Sequence, residues 1–265
     1  MKIAILISCL SLLYFLEIQF AFFKNRPQHF QHYVKNALIG ALNAGMMFVL
    51  FSGLTFHVLE WAQNHRFGLL HQWQAPAVIE WCVAFLLFDG WMYMWHRLNH
   101  MVPFLWRFHR MHHTDAELDA SSAMRFHFGE IMFSTLARWM VAPFLGLTIE
   151  QLLWYEIILQ PFILFHHSNV KLPERLDDWI SCVIVSPNMH RIHHSMKHSE
   201  LNSNYSSVLS VWDRLFASFR HRSHWEDLRY GVNGFLEQKW QGVLGMLQTP
   251  FVQQNLDNTK KEEMI

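Results

Sequence analysis

Four long apolar runs limit what this chain can fold into before any other feature is weighed. Residues 1–23, 37–61 and 75–95 are each long enough to cross a bilayer, which takes roughly 20 apolar residues. The fourth run, residues 131–165, is interrupted at Pro143 and Gly146. Two full spans plus a turn would barely fit, so a hairpin of two short or tilted helices, or a re-entrant one, is expected, its second arm kinked at Pro161. Arg138 lies inside the first arm, which would make that arm partly interfacial. Composition agrees. Apolar residues make up 52% of the 265 and charged residues only 16%, against about 25% in a soluble domain. The fold class is therefore an all-α integral membrane bundle of three spans plus a hairpin.

The first run has a rival reading as a signal peptide, because Lys2 precedes an apolar core. No small-residue cleavage site follows and the run continues past Glu17, so a retained helix is expected. Glu17 would pair inside the bundle or lie near an interface. Lys24, Arg26 and Lys35 crowd the first loop, Arg66 stands alone in the second, and Arg97, Arg107, Arg110 and Arg125 follow the third span. The positive-inside rule then places the first loop, residues 97–130 and the C-terminal third in the cytoplasm. The 21 basic and 21 acidic residues balance, so nothing suggests attraction to nucleic acid. Cys9, Cys82 and Cys182 are far apart and form no CxxC pair, which indicates neither a zinc knuckle nor a disulfide framework.

Histidine is the outlier, with 19 copies. Eight fall in three boxes: His96-Arg-Leu-Asn-His100, His109-Arg-Met-His112-His113 and His190-Arg-Ile-His193-His194. On a helix, positions i, i+3 and i+4 share one face, so each box aims two or three imidazoles the same way. Imidazole suits zinc, iron, copper and nickel. Eight nitrogens exceed what one ion can use, and two ions per site is the simplest arithmetic. Ser186-Pro187 ahead of the third box reads as an N-cap followed by Pro at the first helical position. Asp89, seven residues before His96, would either orient a ligand imidazole or make a helix–helix hydrogen bond. Arg110 and Arg191 project about 100° away from the first histidine of their boxes. Solvent or a lipid phosphate is their expected partner.

Other metal chemistries fit less well. There is no HExxH for a zincin-type protease and no Glu-x-x-His for a carboxylate-bridged soluble bundle. A hydrolytic zinc site needs only three protein ligands. A metal transporter would carry its ligands within its spans.

The order HxxxH, HxxHH, HxxHH resembles the fatty acid hydroxylase and sterol desaturase superfamily. The likeness covers roughly residues 89–219. It includes His112-His113-Thr-Asp115, Ala123-Met-Arg125-Phe-His127-Phe-Gly-Glu130, Phe165-His166-His167-Ser-Asn169-Val, Asn204-Tyr205 and Val211-Trp212-Asp213-Arg-Leu-Phe216. Only eight residues separate the first two boxes, which also fits this family better than the fatty acyl desaturases. Two departures are Ser206, where Gly commonly follows Asn-Tyr, and Ala217-Ser218, where the family often has Gly-Thr.

The resemblance implies a membrane-bound non-haem di-iron oxygenase that hydroxylates or desaturates a lipid with O2. It carries the catalytic, metal-holding role onto His96, His100, His109, His112, His113, His190, His193 and His194. It adds His167, with His166 as rival, and His127 as further metal positions. Residues 75–252 would form the catalytic region, residues 1–74 the N-terminal membrane helices and residues 253–265 a frayed tail. Other histidines, such as His29, His57 and His221, read as surface or interfacial groups. Trp95, Phe104, Trp106 and Phe108 would line a lateral path for the lipid or belong to an interfacial belt. No Gly-rich nucleotide motif occurs, so a separate reductase, cytochrome or ferredoxin would supply electrons. No N-terminal cytochrome domain and no ER-retrieval tail are seen, so a bacterial inner membrane is expected, with the metal site facing the cytoplasm. A lipid desaturase on the same site and a non-catalytic membrane metal binder are the alternatives.

Overall fold

In the computed structural model, which describes residues 1–253, helix content dominates and no strands occur among the described residues. The tail expected from residue 253 lies, but for that first residue, outside the described residues. The three apolar runs become α1 (Lys2–Gln19), α2 (His29–Asn64) and α3 (Ala77–Met101), each long and apolar enough to cross a membrane. Two differ in extent from the hydropathy reading. The polar turn His29–Asn36 is already helical in α2, and α3 continues through the whole first histidine box. Backbone hydrogen bonding continues past an apolar run wherever a packed partner covers the polar side chains.

The fourth run is the expected hairpin. Its arms are α5 (Phe128–Leu145) and α6 (Ile149–His167). Gly146, at φ 80°, ends the first arm in the left-handed region that glycine enters without a Cβ penalty. Thr148 opens the second with a capping box through Gln151. Pro161 lies within α6, which still runs to His167. Arg138 faces the other arm, donating to Glu156 at 3.1 Å. Phe88 of α3 and Tyr155 of α6 meet edge-on in the core shared with Leu145 and Leu152.

Shorter helices carry the polar part: α4 (Pro103–His113), α7 (Glu174–Ser181), α8 (Pro187–His193), α9 (His198–Leu201), α10 (Val211–Leu215) and α11 (Val243–Gln248). As its sequence indicates, α8 starts at a Ser186 cap, whose hydroxyl accepts the Met189 N–H, with Pro187 next. The N-terminal helices grip the segment between the second box and the hairpin. Glu17 is buried in α1 and accepts the N–H groups of Ala120 and Asn169 and the Tyr33 hydroxyl. His32 of α2 bridges Asp115 (2.8 Å) and Asp119 (2.7 Å). His29 is correspondingly not a surface group. It bonds Glu17 at 3.1 Å and stacks on Tyr14. His57 and His221, by contrast, are exposed.

Candidate metal centre

The three boxes arrive from three directions: His96 and His100 from the end of α3, His109, His112 and His113 from α4, and His190, His193 and His194 from the α8 turn. A fourth element, the end of α6, adds His167. Nine imidazoles resolve into two groups. One holds His96, His100, His109, His113 and His193, and the other holds His112, His167, His190 and His194. Within each group one ring nitrogen per histidine lies within 4.8 Å of all the rest. Each HxxHH box is thus divided: His112 goes one way and His109 and His113 the other, and His193 parts from His190 and His194.

Hydrogen bonds fix which nitrogen is bare. His96 donates Nδ1–H to the Tyr205 carbonyl, His193 to the Ser203 carbonyl and His167 to the Ile163 carbonyl, at 2.7, 2.7 and 2.6 Å. His109 donates Nδ1–H to Glu130 Oε1 at 2.7 Å. In all four the Nε2 lone pair is left facing the group, which is how an outer partner sets a metal-binding tautomer. The Nε2 atoms of His96 and His193 are buried without a hydrogen-bond partner, as are both ring nitrogens of His100. Nε2 of His167 lies 3.1 Å from that of His112 and 3.0 Å from that of His190. Crowded lone pairs of this kind repel unless a proton or a cation stands between them. Burial first, and the neighbouring imidazoles after it, hold His112, His113, His190, His193 and His194 well below the ordinary histidine value. Neutral, buried and convergent, the rings form a donor set that fits metal cations.

His167 rather than His166 joins the second group; His166 packs beside His190 with ring centroids 4.1 Å apart. His127 is not brought to either group. Its Nδ1 accepts the Gly129 N–H and caps α5. Asp89 orients no imidazole. It accepts from Tyr155 (2.7 Å), Trp212 Nε1 (2.8 Å) and the Leu209 N–H (3.1 Å), joining α3 to α6 and to the α10 region. The box arginines meet neither solvent nor phosphate. Arg110 donates to the Thr249 and Val252 carbonyls, and Arg191 to those of Ser168 (2.8 Å) and Val170 (2.7 Å). At the buried ends of α4 and α8, a side chain pointing away from the histidine groups points into protein.

Glu130 was not singled out from the sequence as a partner of His109. Its signal was present, since a carboxylate 21 residues on opens the next helix. A cavity of about 230 Å³ adjoins both groups. His96, His109, His112, His167 and His190 line it together with Glu130 and Arg138, and Met92, Trp95, Ile131, Leu159 and Ile163 supply apolar surface. Of Trp95, Phe104, Trp106 and Phe108, Trp95 lines this cavity. Trp106 packs instead on His100 and His113, while Phe104 and Phe108 pack on Phe133.

Comparison with known proteins agrees with this architecture. The family model described as fatty acid hydroxylase matches residues 81–218, from within α3 to just past α10. This chain belongs to the fatty acid hydroxylase family. Among its relatives, the ornithine lipid hydroxylase OlsE of Rhizobium tropici is 30% identical over 183 residues, covering 68% of this chain and 54% of that protein. The alkylglycerol monooxygenase of Homo sapiens is 26% identical over 184 residues, 68% of this chain and 38% of its own length. The cholesterol 25-hydroxylase of Mus musculus is 26% identical over 170 residues, 62% and 54% respectively. The chain thus spans about half the length of these relatives, or less. No solved structure matches it. The fatty acid hydroxylase match takes in all three boxes, His167 and Glu130, and leaves out α1 and α2.

Proposed function

We propose that this protein is a membrane-bound oxygenase that hydroxylates a lipid C–H bond, using O2 and electrons from a separate donor. The observation that carries the reading is one apolar-walled cavity flanked by two buried groups of imidazole nitrogens. Two non-haem iron ions are the proposed occupants. One would be held by His96, His100, His109, His113 and His193, the other by His112, His167, His190 and His194. When bound, the ions supply the redox chemistry that turns O2 into an oxidant strong enough for an unactivated C–H bond. The protein's own residues do the rest. Glu130 and the carbonyls of Tyr205 and Ser203 hold three ligand rings in one tautomer and orientation. Met92, Trp95 and Ile163 give a lipid chain an apolar bed, and the burial of the histidines excludes water from the reacting atoms.

Residues 75–252 form the proposed catalytic region, with the histidine end of α3 on the cytoplasmic side of a bacterial inner membrane. The relatives' activities, each a lipid hydroxylase or monooxygenase, support hydroxylation over desaturation.

The test is untargeted lipid mass spectrometry on cells expressing the protein or its His193→Ala variant, with iron measured on both purified proteins. A lipid class that gains one oxygen only with the intact protein is the expected result. Loss of two hydrogens instead identifies a desaturase. Full activity in the variant, or bound zinc or copper with no O2 uptake on reduction, overturns the proposal.

A further inference from the structure

The polar C-terminal third contains a corner built inside out. Along α7 and the turn after it, Leu176, Trp179, Ile180 and Val183 follow i, i+3, i+4 and i+7 spacing, the apolar stripe of an amphipathic helix. In a soluble head that stripe would face the core. Here Asp177 and Ser181 face inward, with Asp177 accepting from the Ser186 hydroxyl at 2.6 Å, while Trp179 is 78% and Val183 63% exposed. The stripe continues onto α10. Ser210 ties the two together, its N–H donating to the Val183 carbonyl (3.1 Å) and its hydroxyl to the Ser181 carbonyl (2.6 Å). Beyond it Val211 and Leu215, the latter 66% exposed, point the same outward way.

What covers this surface follows from where it is attached. Leu209 and Trp212 bond Asp89, at the middle of α3, 12 residues from either end. Gly90 leaves the room the Trp212 ring occupies, since a Cβ there would meet it at 3.1 Å. Phe216 stacks on Tyr93 with ring centroids 5.2 Å apart. Asp89 lies seven residues, about 10 Å, before His96 along the helix. The corner therefore sits beside the apolar part of α3, a helix long and apolar enough to span a membrane, below the end that carries the first box.

We infer that the α7–α10 corner is immersed in the bilayer, with Leu176, Trp179, Val183, Val211 and Leu215 among the acyl chains. Its occupant is the lipid of the membrane that α3 crosses. The depth matches the roughly 5–10 Å typical of an interfacial amphipathic helix. Arg175, exposed at its margin, is placed to reach lipid headgroups. This inference is independent of the reaction assigned to the histidines.

The experiment uses the full chain in phosphatidylcholine–phosphatidylglycerol vesicles. Nitroxide labels are placed through Trp179→Cys, Val183→Cys and Leu215→Cys, each with Cys9, Cys82 and Cys182 replaced by serine. Val49→Cys, on the exposed face of α2, is the lipid reference and Ser223→Cys, in an exposed polar loop, the aqueous one. Collisions with dissolved O2 should exceed those with a water-soluble nickel chelate at residues 179, 183 and 215, as at 49, and the order should reverse at 223. Labels at 179 and 215 that behave like 223 overturn the inference. So do labels shielded from both reagents that show spin–spin broadening between molecules, because the occupant is then a second copy of the chain.

Discussion

Glu130 Oε1 accepts the Nδ1–H of His109 at 2.7 Å, and neither residue is open to solvent. The carboxylate both aims the ring and strengthens its Nε2 as a donor. Outer partners of this kind typically change metal affinity about 10–100-fold. Glu130→Ala should lower iron retained after purification by that order, and Glu130→Gln by less, because the amide oxygen still accepts. Metal analysis after equilibrium dialysis checks it.

His127 and His193 make a contrasting pair. His193 contributes a bare Nε2 to the first group, whereas His127 caps α5. His193→Ala should lose iron and turnover. His127→Ala should keep its iron and lose stability by about 1 kcal/mol, the usual worth of a helix cap. Iron content and melting temperature, measured on both, separate the two roles.

The metal-free protein should weaken as pH falls below about 6.5. His112, His113, His190, His193 and His194 are held neutral in the fold by burial, with pKa values below those in the unfolded chain. Between the two values the unfolded chain binds more protons, so stability rises with pH across that window and is flat on either side of it. Each such group contributes up to about 1.4 kcal/mol per pH unit. Melting after chelation at pH 7.5 and pH 5.5 should show the lower value at pH 5.5.

Arg191 is fully buried and donates to two carbonyls and to Asn188 Oδ1. It pins the loop after His167 to the third box. Arg191→Met should cost about 3 kcal/mol or more, since it leaves buried acceptors unpaired. Arg191→Lys should recover little, because an ammonium lacks the planar fork. Denaturant midpoints of the three proteins check the order.

Ala217 adopts φ 55°, a left-handed conformation that a Cβ disfavours. The residue is exposed, so little contact is lost on replacement. Ala217→Gly should stabilise by about 1 kcal/mol, visible as a rise in melting temperature with activity unchanged.

Much of this molecule was legible in its sequence, and the unread parts share a cause. Apolar runs gave the spans and the hairpin because a bilayer demands length and low polarity, and both are local. Helical spacing gave the faces of the boxes. Spacing could not show that each HxxHH box is divided between two groups, because that depends on how α4 and α8 cross. His32 between Asp115 and Asp119, Glu130 behind His109, and the inward turn of Arg110 and Arg191 all depend on partners from 21 to 142 residues away. Asp89 kept the right helical face for an imidazole, yet Trp212 and Tyr155 reach it first.

His96 and His193 take their aim from the main-chain carbonyls of Tyr205 and Ser203 rather than from any side chain. What must be inherited there is the path of the backbone, held by Asn204 at φ 53° with its amide bonded to the Met189 and Arg220 carbonyls. The Ser203 side chain plays no part in that aim, whereas the buried Tyr205 ring also packs on His96 and His193, with ring centroids 5.8 and 5.6 Å apart. The constraint on His193 would therefore leave little trace at the residue that imposes it, and its mark would fall on the asparagine beside it.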